Sequence, residues 1–444
     1  MSIRKILGRT GLILAALAAV FLVARAALNY TTGKKLEKFL VEAKAKGLPV
    51  SYADLGPACP GQENARPLWQ AAVALFDGQS LKPANVKPVS LSQELASIYE
   101  VRPVDDKMRA LIRAAIDKNR RPIEFLLEAA GFSCFQETNR QDPFLPGNAA
   151  ATLNIVRLLG LEAYFRSESG DVRGGLNEWI RGFRFVRLTL QEPTVMRVLI
   201  AIANARSLLA VLNRIVGERA AEADDLEAVL KDLDVAAWRT AVAGSLKNER
   251  IFRIETVKEV LRGHSPEFES GSGAGLLFWL TRPLIRTQLM RQFSEFDEIE
   301  AMLGGPYYES RSRMNSFDDR QEKLHWYERL PDNGISSISS MGLKEAALEA
   351  LMDTARIGLA ARIYLAREKH WPAAVADLVP GLLSQEPLDP FTGKPFVFRV
   401  NKDSLLVYSL GSNEKDDEGR GTFLIAQLVT PKDDDWAWRD KIRN

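Results

Sequence analysis

The sequence predicts a mainly α-helical protein with a small C-terminal α+β module, and three observations lead there. An apolar run with basic residues before it opens the chain. Apolar residues then recur at helical spacing through most of the middle. Two short β-rich runs follow a dense turn near residue 390. The expected organisation is a membrane segment over 1–33, a helical body over 34–303, a linker over 304–341 and the module over 342–444.

Arg4, Lys5 and Arg9 precede the apolar run Gly11–Ala24, and Arg25 interrupts it before Ala26, Ala27 and Leu28. A spanning helix needs about 20 mostly apolar residues. The run reaches that length when Arg25 extends its charge to the interface. Basic residues before an apolar centre also describe a secretory signal, and Ala24-Arg25-Ala26 offers small residues for cleavage. A single-pass anchor and a cleaved signal therefore both stand, and both carry the body out of the cytoplasm. Lys34, Lys35 and Lys38 lie beyond the run, so charge counting does not fix orientation.

The amphipathic stretch 34–46 reads as a stalk continuing the anchor helix, with Leu36, Phe39, Leu40 and Ala43 on one face. A loop containing Cys59 follows. Helices are expected over 64–76, near 92–99, over 106–130 as one element, and over 149–167. Gly170-Asp171 turns the chain into a helix over 172–190, making an αα-hairpin. Further helices are expected over 193–216, 221–233 and 236–262. The stretch 264–275 reads as an exposed loop leading to the apolar cluster Leu276–Leu280 and a helix to Met302. That cluster is read chiefly as buried, with membrane or partner contact as the alternative. Residues 304–340 carry many glycines, prolines and polar residues and read as a passage with one short helix.

A long helix is expected over 342–370, with Leu348, Leu351, Ala355, Leu359 and Ile363 as its apolar stripe. Trp371-Pro372 stops it, and a short helix over 374–379 follows. Strands are expected over 396–400 and 405–410, with a third over 422–428.

Composition narrows the function classes. The chain has 444 residues, 46% hydrophobic and 26% charged, as in ordinary globular proteins. Its 59 basic and 57 acidic residues leave a net charge of +2, with no basic stripe, so nucleic acid is not an expected partner. The two cysteines, Cys59 and Cys134, exclude a disulfide-dense scaffold and a four-cysteine zinc site. They are read as a disulfide or as two separate buried thiols. No phosphate loop, zinc-protease motif or nucleophile elbow occurs. Acid pairs such as Asp224/Asp225 and Asp318/Asp319 read as solvated faces or helix caps, and Glu249 and Glu255 as partners of Arg250, Arg253 or Lys258.

The module carries Trp371-Pro372, Leu378-Val379-Pro380-Gly381, Pro387-Leu388-Asp389-Pro390-Phe391-Thr392-Gly393-Lys394-Pro395, Val407-Tyr408-Ser409-Leu410-Gly411 and Asn413-Glu414-Lys415-Asp416-Asp417-Glu418-Gly419. In that order, over about 351–421, it resembles the C-terminal part of the major pseudopilin of type II secretion systems. The middle of the chain is similar to a group of uncharacterised bacterial membrane-anchored proteins that join a helical body to this ending. The pseudopilin resemblance implies calcium in the loop after Tyr-Ser-x-Gly. Asn413, Asp416, Asp417 and Glu418 would offer side-chain oxygens, and Leu410 and Ser412 carbonyls. The residues themselves also read as a solvated acidic turn. The apolar run 12–24 holds no acid, whereas pseudopilins carry a glutamate there, so the resemblance extends to the module and not to fibre assembly.

The expected function is a membrane-tethered, extracytoplasmic interaction or scaffold protein of the bacterial cell envelope with protein partners. The alternatives are an envelope-polymer hydrolase using paired carboxylates and a helical binder of a small ligand or peptide.

Overall fold

The computed structural model describes residues 3–55, 59–81, 89–91, 93–95, 104–136, 146–191, 194–262, 274–325, 328, 338–401, 404–420 and 435–441. The predicted loop 264–275 (apart from its last two residues), the strand 422–428 and most of the helix near 92–99 lie outside them. The chain is mainly helical and groups into two compact units, each assembled from separate stretches of sequence.

One unit comprises 1–57, 246–300 and 316–336. Its first helix, α1, runs unbroken over Ile3–Ala45. From Leu12 to Val23 the large apolar side chains are more than half exposed. Beyond them α1 becomes amphipathic, and Leu36, Phe39, Leu40 and Ala43 pack on Ile254, Val257, Ile285, Leu289 and Phe293. The apolar run and the amphipathic stretch after it are thus one helix. It packs against the second half of α9 (Val235–Arg262) and against α10 (Ala274–Leu303).

The other unit comprises 58–245, 301–315 and 337–444. Its helices are α2 (Arg66–Leu75), α3 (Asp106–Lys118), α4 (Arg120–Ala129), α5 (Pro146–Glu168), α6 (Val172–Leu188), α7 (Val195–Glu218), α8 (Ala223–Asp232), the first half of α9, part of α11 (Tyr307–Glu322) and α12 (Ile338–Glu368). The α5–α6 hairpin turns at Gly170, whose φ of 103° lies in the region glycine favours. Asp171 then caps α6 by accepting from the Gly174 amide at 2.9 Å. Helix α7 is apolar enough to cross a membrane, yet most of it is buried, and it is a core helix of this unit.

Three expected boundaries change. The single helix over 106–130 is two, because Asn119 leaves helical geometry. Its amide accepts from the Asp77 backbone at 2.8 Å and donates to Ser80 at 2.9 Å, trading helix continuity for a tie to a distant loop. The passage 304–340 holds α11, 16 residues long, and α12 starts earlier than expected, at Ile338. The short helix over 374–379 is a single 3₁₀ turn, Val375–Leu378.

The C-terminal sheet is antiparallel, ordered β1 (Val397–Asn401), β2 (Ser404–Ser409), β3 (Trp436–Lys441). Val397 faces Tyr408, and Ser409 faces Trp436. The sheet packs on α12, where Gly358 lets the Trp438 indole lie against the helix backbone. Asn213 of α7 also donates to the Ala437 carbonyl at 3.1 Å, so β3 is held from two helices.

Candidate functional site

Three groups of acids stand out once side chains are in place. The first lies along α12. Glu345, Glu349 and Asp353 follow one another at helical spacing of four, so they share one face. All three are largely buried. Arg239 of α9 pairs with Glu349, and Arg356 donates to Asp353 at 2.6 Å. One Glu345 carboxylate oxygen is buried with no hydrogen-bond partner. Burial, reinforced by Glu349, holds the Glu345 carboxyl well above the ordinary range. Burial raises Glu349 to about 7, opposed by Arg239 and helped by Asp353 and Asp389. Burial likewise raises Asp353 to about 6, against the pull of Arg356. Burial thus favours the protonated form of all three carboxyls inside a helical core.

The second group is a surface groove of about 250 Å³ between α3, α4, α5 and α6. Glu162 pairs with Arg120. Glu178 pairs with Arg166 at 2.6 Å, while its second oxygen is buried without a partner. Burial, with a smaller push from Glu162, raises the Glu178 carboxyl. Arg113 lies over the Phe165 ring at 5.3 Å and completes the wall.

The third group is the acidic loop of the module. Asp389 organises the preceding turn: its carboxylate accepts from the Phe391 and Leu410 amides and the Ser409 hydroxyl, each at 2.9 Å. Of the expected calcium ligands, Asp416 is already engaged, by the Tyr408 hydroxyl at 2.8 Å and by Arg399 at 2.8 Å. Those contacts hold its carboxyl below the ordinary range, the Tyr408 hydrogen bond first. Asn413 donates to Asp417 at 2.8 Å, and Glu418 is exposed with a φ of 60°. The loop also meets an acid just before β3 that sequence reasoning missed. Asp435 is 1% exposed; one oxygen accepts from the Gly419 amide at 2.7 Å, and the other has no partner. Burial, with Asp417 and Asp416 behind it, pushes Asp435 up to about 7. Among the described residues no three acidic, histidine or cysteine side chains converge on one point. A cation here would therefore draw on backbone carbonyls besides Asp417 and Asp435.

Cys59 and Cys134 are joined in a disulfide with Cα atoms 6.5 Å apart. Three other acids form ordinary pairs. Asp225 binds Arg173 at 3.0 Å, Glu249 faces Arg253 at 3.6 Å, and Glu255 accepts from Lys258 at 2.8 Å.

No protein-family model, curated protein or solved structure matches this chain, so no relative assigns roles to these residues.

Proposed function

We propose that this protein is a membrane-tethered, extracytoplasmic interaction protein of the cell envelope. The observation that carries the reading is the N-terminal helix. It leaves Leu12–Val23 in solvent while the rest of the same helix is docked into a core. An apolar stripe that size is unstable in water and suited to a bilayer. The disulfide supports placement outside the reducing cytoplasm. In this reading the module takes calcium on Asp417 and Asp435, the orphaned Asp435 oxygen being the supporting feature.

Crosslinking the full-length protein in cells, followed by purification from membranes, tests the reading. A reproducible set of envelope proteins is expected. Recovery of the protein alone, or in the soluble cytosol, would overturn it. Calcium should raise the melting temperature by mass action, and Asp417→Ala with Asp435→Ala should abolish the rise. A melt insensitive to calcium removes the metal from the account.

A second reading is favoured by the groove. Glu178, whose carboxyl burial raises, and Glu162, paired with Arg120, are two carboxyls facing one opening and stand as candidate acid and base. If the protein cleaves an envelope polymer there, Glu178→Gln should lower the rate roughly 100-fold or more while leaving the melt unchanged. No product from the wild-type protein across such polymers ends this reading.

A further inference from the structure

Resting on the reading of α1 as a retained membrane anchor, we propose that the start of α10, through Leu280 and Leu284, enters the bilayer beside it, so that this unit sits on the membrane instead of hanging from one helix. Helices α1 and α10 lie side by side and run in the same direction. Arg25 donates to the Trp279 carbonyl, Arg286 donates to the Asn29 carbonyl at 2.7 Å and its side-chain oxygen at 2.9 Å, and Phe39 meets Phe293 edge-on at 5.2 Å. This register puts the first turns of α10 level with the end of the apolar run.

Depth follows from length. Leu12–Val23, whose large apolar side chains are more than half exposed, covers about 18 Å at about 1.5 Å per residue. A hydrocarbon core is about 30 Å thick and takes about 20 helical residues. Arg9 bounds the run on its N-terminal side, so the missing length is completed toward the body and ends near Asn29. Leu28 and Tyr30, 52% and 67% exposed, carry the apolar surface to that level. The Arg286 contact with Asn29 then marks the same level on α10, and the residues before it lie at or within the headgroup layer. Residues 274–281 contain no charged side chain. Leu280 and Leu284, four apart and on one face, are 37% and 38% exposed. Farther along, Ile285, Leu289 and Phe293 are buried against α1 and α9. Among the described residues no large apolar side chain of α10 beyond Leu284 is exposed. The exposed apolar surface of α10 is therefore confined to the end beside the anchor and is continuous with it, and a bilayer deep enough for α1 covers both. Trp279 lies within this stretch and Arg286 at its close, residue types that favour the headgroup level.

The test uses the full-length protein in phosphatidylcholine vesicles. Its two cysteines are joined to each other, so a single introduced cysteine takes an environment-sensitive fluorophore alone. Four variants are compared: Leu280→Cys and Leu284→Cys on α10, Val20→Cys in the apolar run, and Glu124→Cys on the exposed side of α4. We expect blue-shifted emission at 280 and 284, most of it lost to lipids spin-labelled near the headgroup. The label at 20 should be quenched by lipids spin-labelled deep in the acyl chain, and the label at 124 by neither. Labels at 280 and 284 that behave like the one at 124, with 20 quenched, overturn the α10 contact and leave the anchor standing. An unquenched label at 20 as well overturns both. Blue-shifted labels at 280 and 284 that no lipid quenches identify a protein cover, such as a second copy, and overturn the lipid assignment. A photoactivatable phosphatidylcholine tests the unsubstituted protein in the same vesicles. Adducts are expected within 279–284 as well as on α1, and adducts on α1 alone overturn the contact.

Discussion

Glu345, Glu349 and Asp353 make the stability of their unit depend on pH, and the sign follows from the direction of their shifts. A free glutamate or aspartate titrates near 4. In the fold Glu349 titrates at about 7 and Asp353 at about 6, and Glu345 is raised too. The folded state therefore holds protons that the unfolded chain has released. The stabilisation is full below about pH 4 and is lost as pH rises through 6 and 7. Thermal melts should show a higher midpoint at about pH 5 than at about pH 8. Glu345→Gln should add on the order of 1 kcal/mol at the higher pH and little at the lower, since the amide needs no proton to be neutral. Equal midpoints at both pH values would contradict the buried protonated state. The sequence did carry a signal for these acids: they interrupt the apolar run of α12 at a spacing of four. The apolar stripe alone assigns them no place. They are inside because the sheet, α7 and α8 cover α12 from several directions, and the periodicity of one helix cannot reveal how many neighbours it has.

At the level of elements, the αα-hairpin and the long module helix were legible because their apolar spacing and turn residues agree. Two elements were less so. The break at Asn119 arises from hydrogen bonds to residues about 40 positions earlier, which no local pattern encodes. The third strand was expected at 422–428, outside the described residues; the strand that is described, Trp436–Lys441, alternates Trp436 and Trp438 into the core. That alternation was visible, but two tryptophans among charged residues are a weak strand signal. The close contact of α12 with β3 is testable. A methyl group at Gly358 would collide with the Trp438 indole, so Gly358→Ala should destabilise by about 1–3 kcal/mol. A neutral effect on chemical denaturation would refute that packing. The sequence also suggested a self-sufficient module over 342–444. Helix α12 buries much of its surface on α7 and α8, and β3 is tied to Asn213. An isolated 342–444 fragment is therefore expected to unfold without cooperativity, and a sharp two-state transition would show the opposite.

Over the whole chain, neither unit is a continuous segment, and the backbone passes between them five times. Sequence reading divides a chain at glycine- and proline-rich passages, so it expects domains in succession. Here contact, not composition, decides membership: Tyr307, within the expected linker, stacks edge-on with Phe391 at 5.6 Å. The disulfide acts at the same scale, closing 75 residues between the loop before α2 and the turn after α4. Around it the Ala65 amide donates to the Cys134 carbonyl at 2.8 Å and Cys59 to Gln136 at 2.6 Å. Replacing Cys134 by Ser should cost about 2–4 kcal/mol, read as a lower melting temperature that reductant no longer changes. An unchanged midpoint would mean that the crosslink adds nothing to stability.

Asn213 and its acceptor on β3 stand 224 positions apart. At ribosomal speeds of about 5–20 residues per second, α7 emerges roughly 10–45 s before the strand that it must hold. During that interval the part of its surface that α12 and β3 cover stays open. A chain in that state is open to aggregation, and its vulnerability is a matter of timing as much as of sequence.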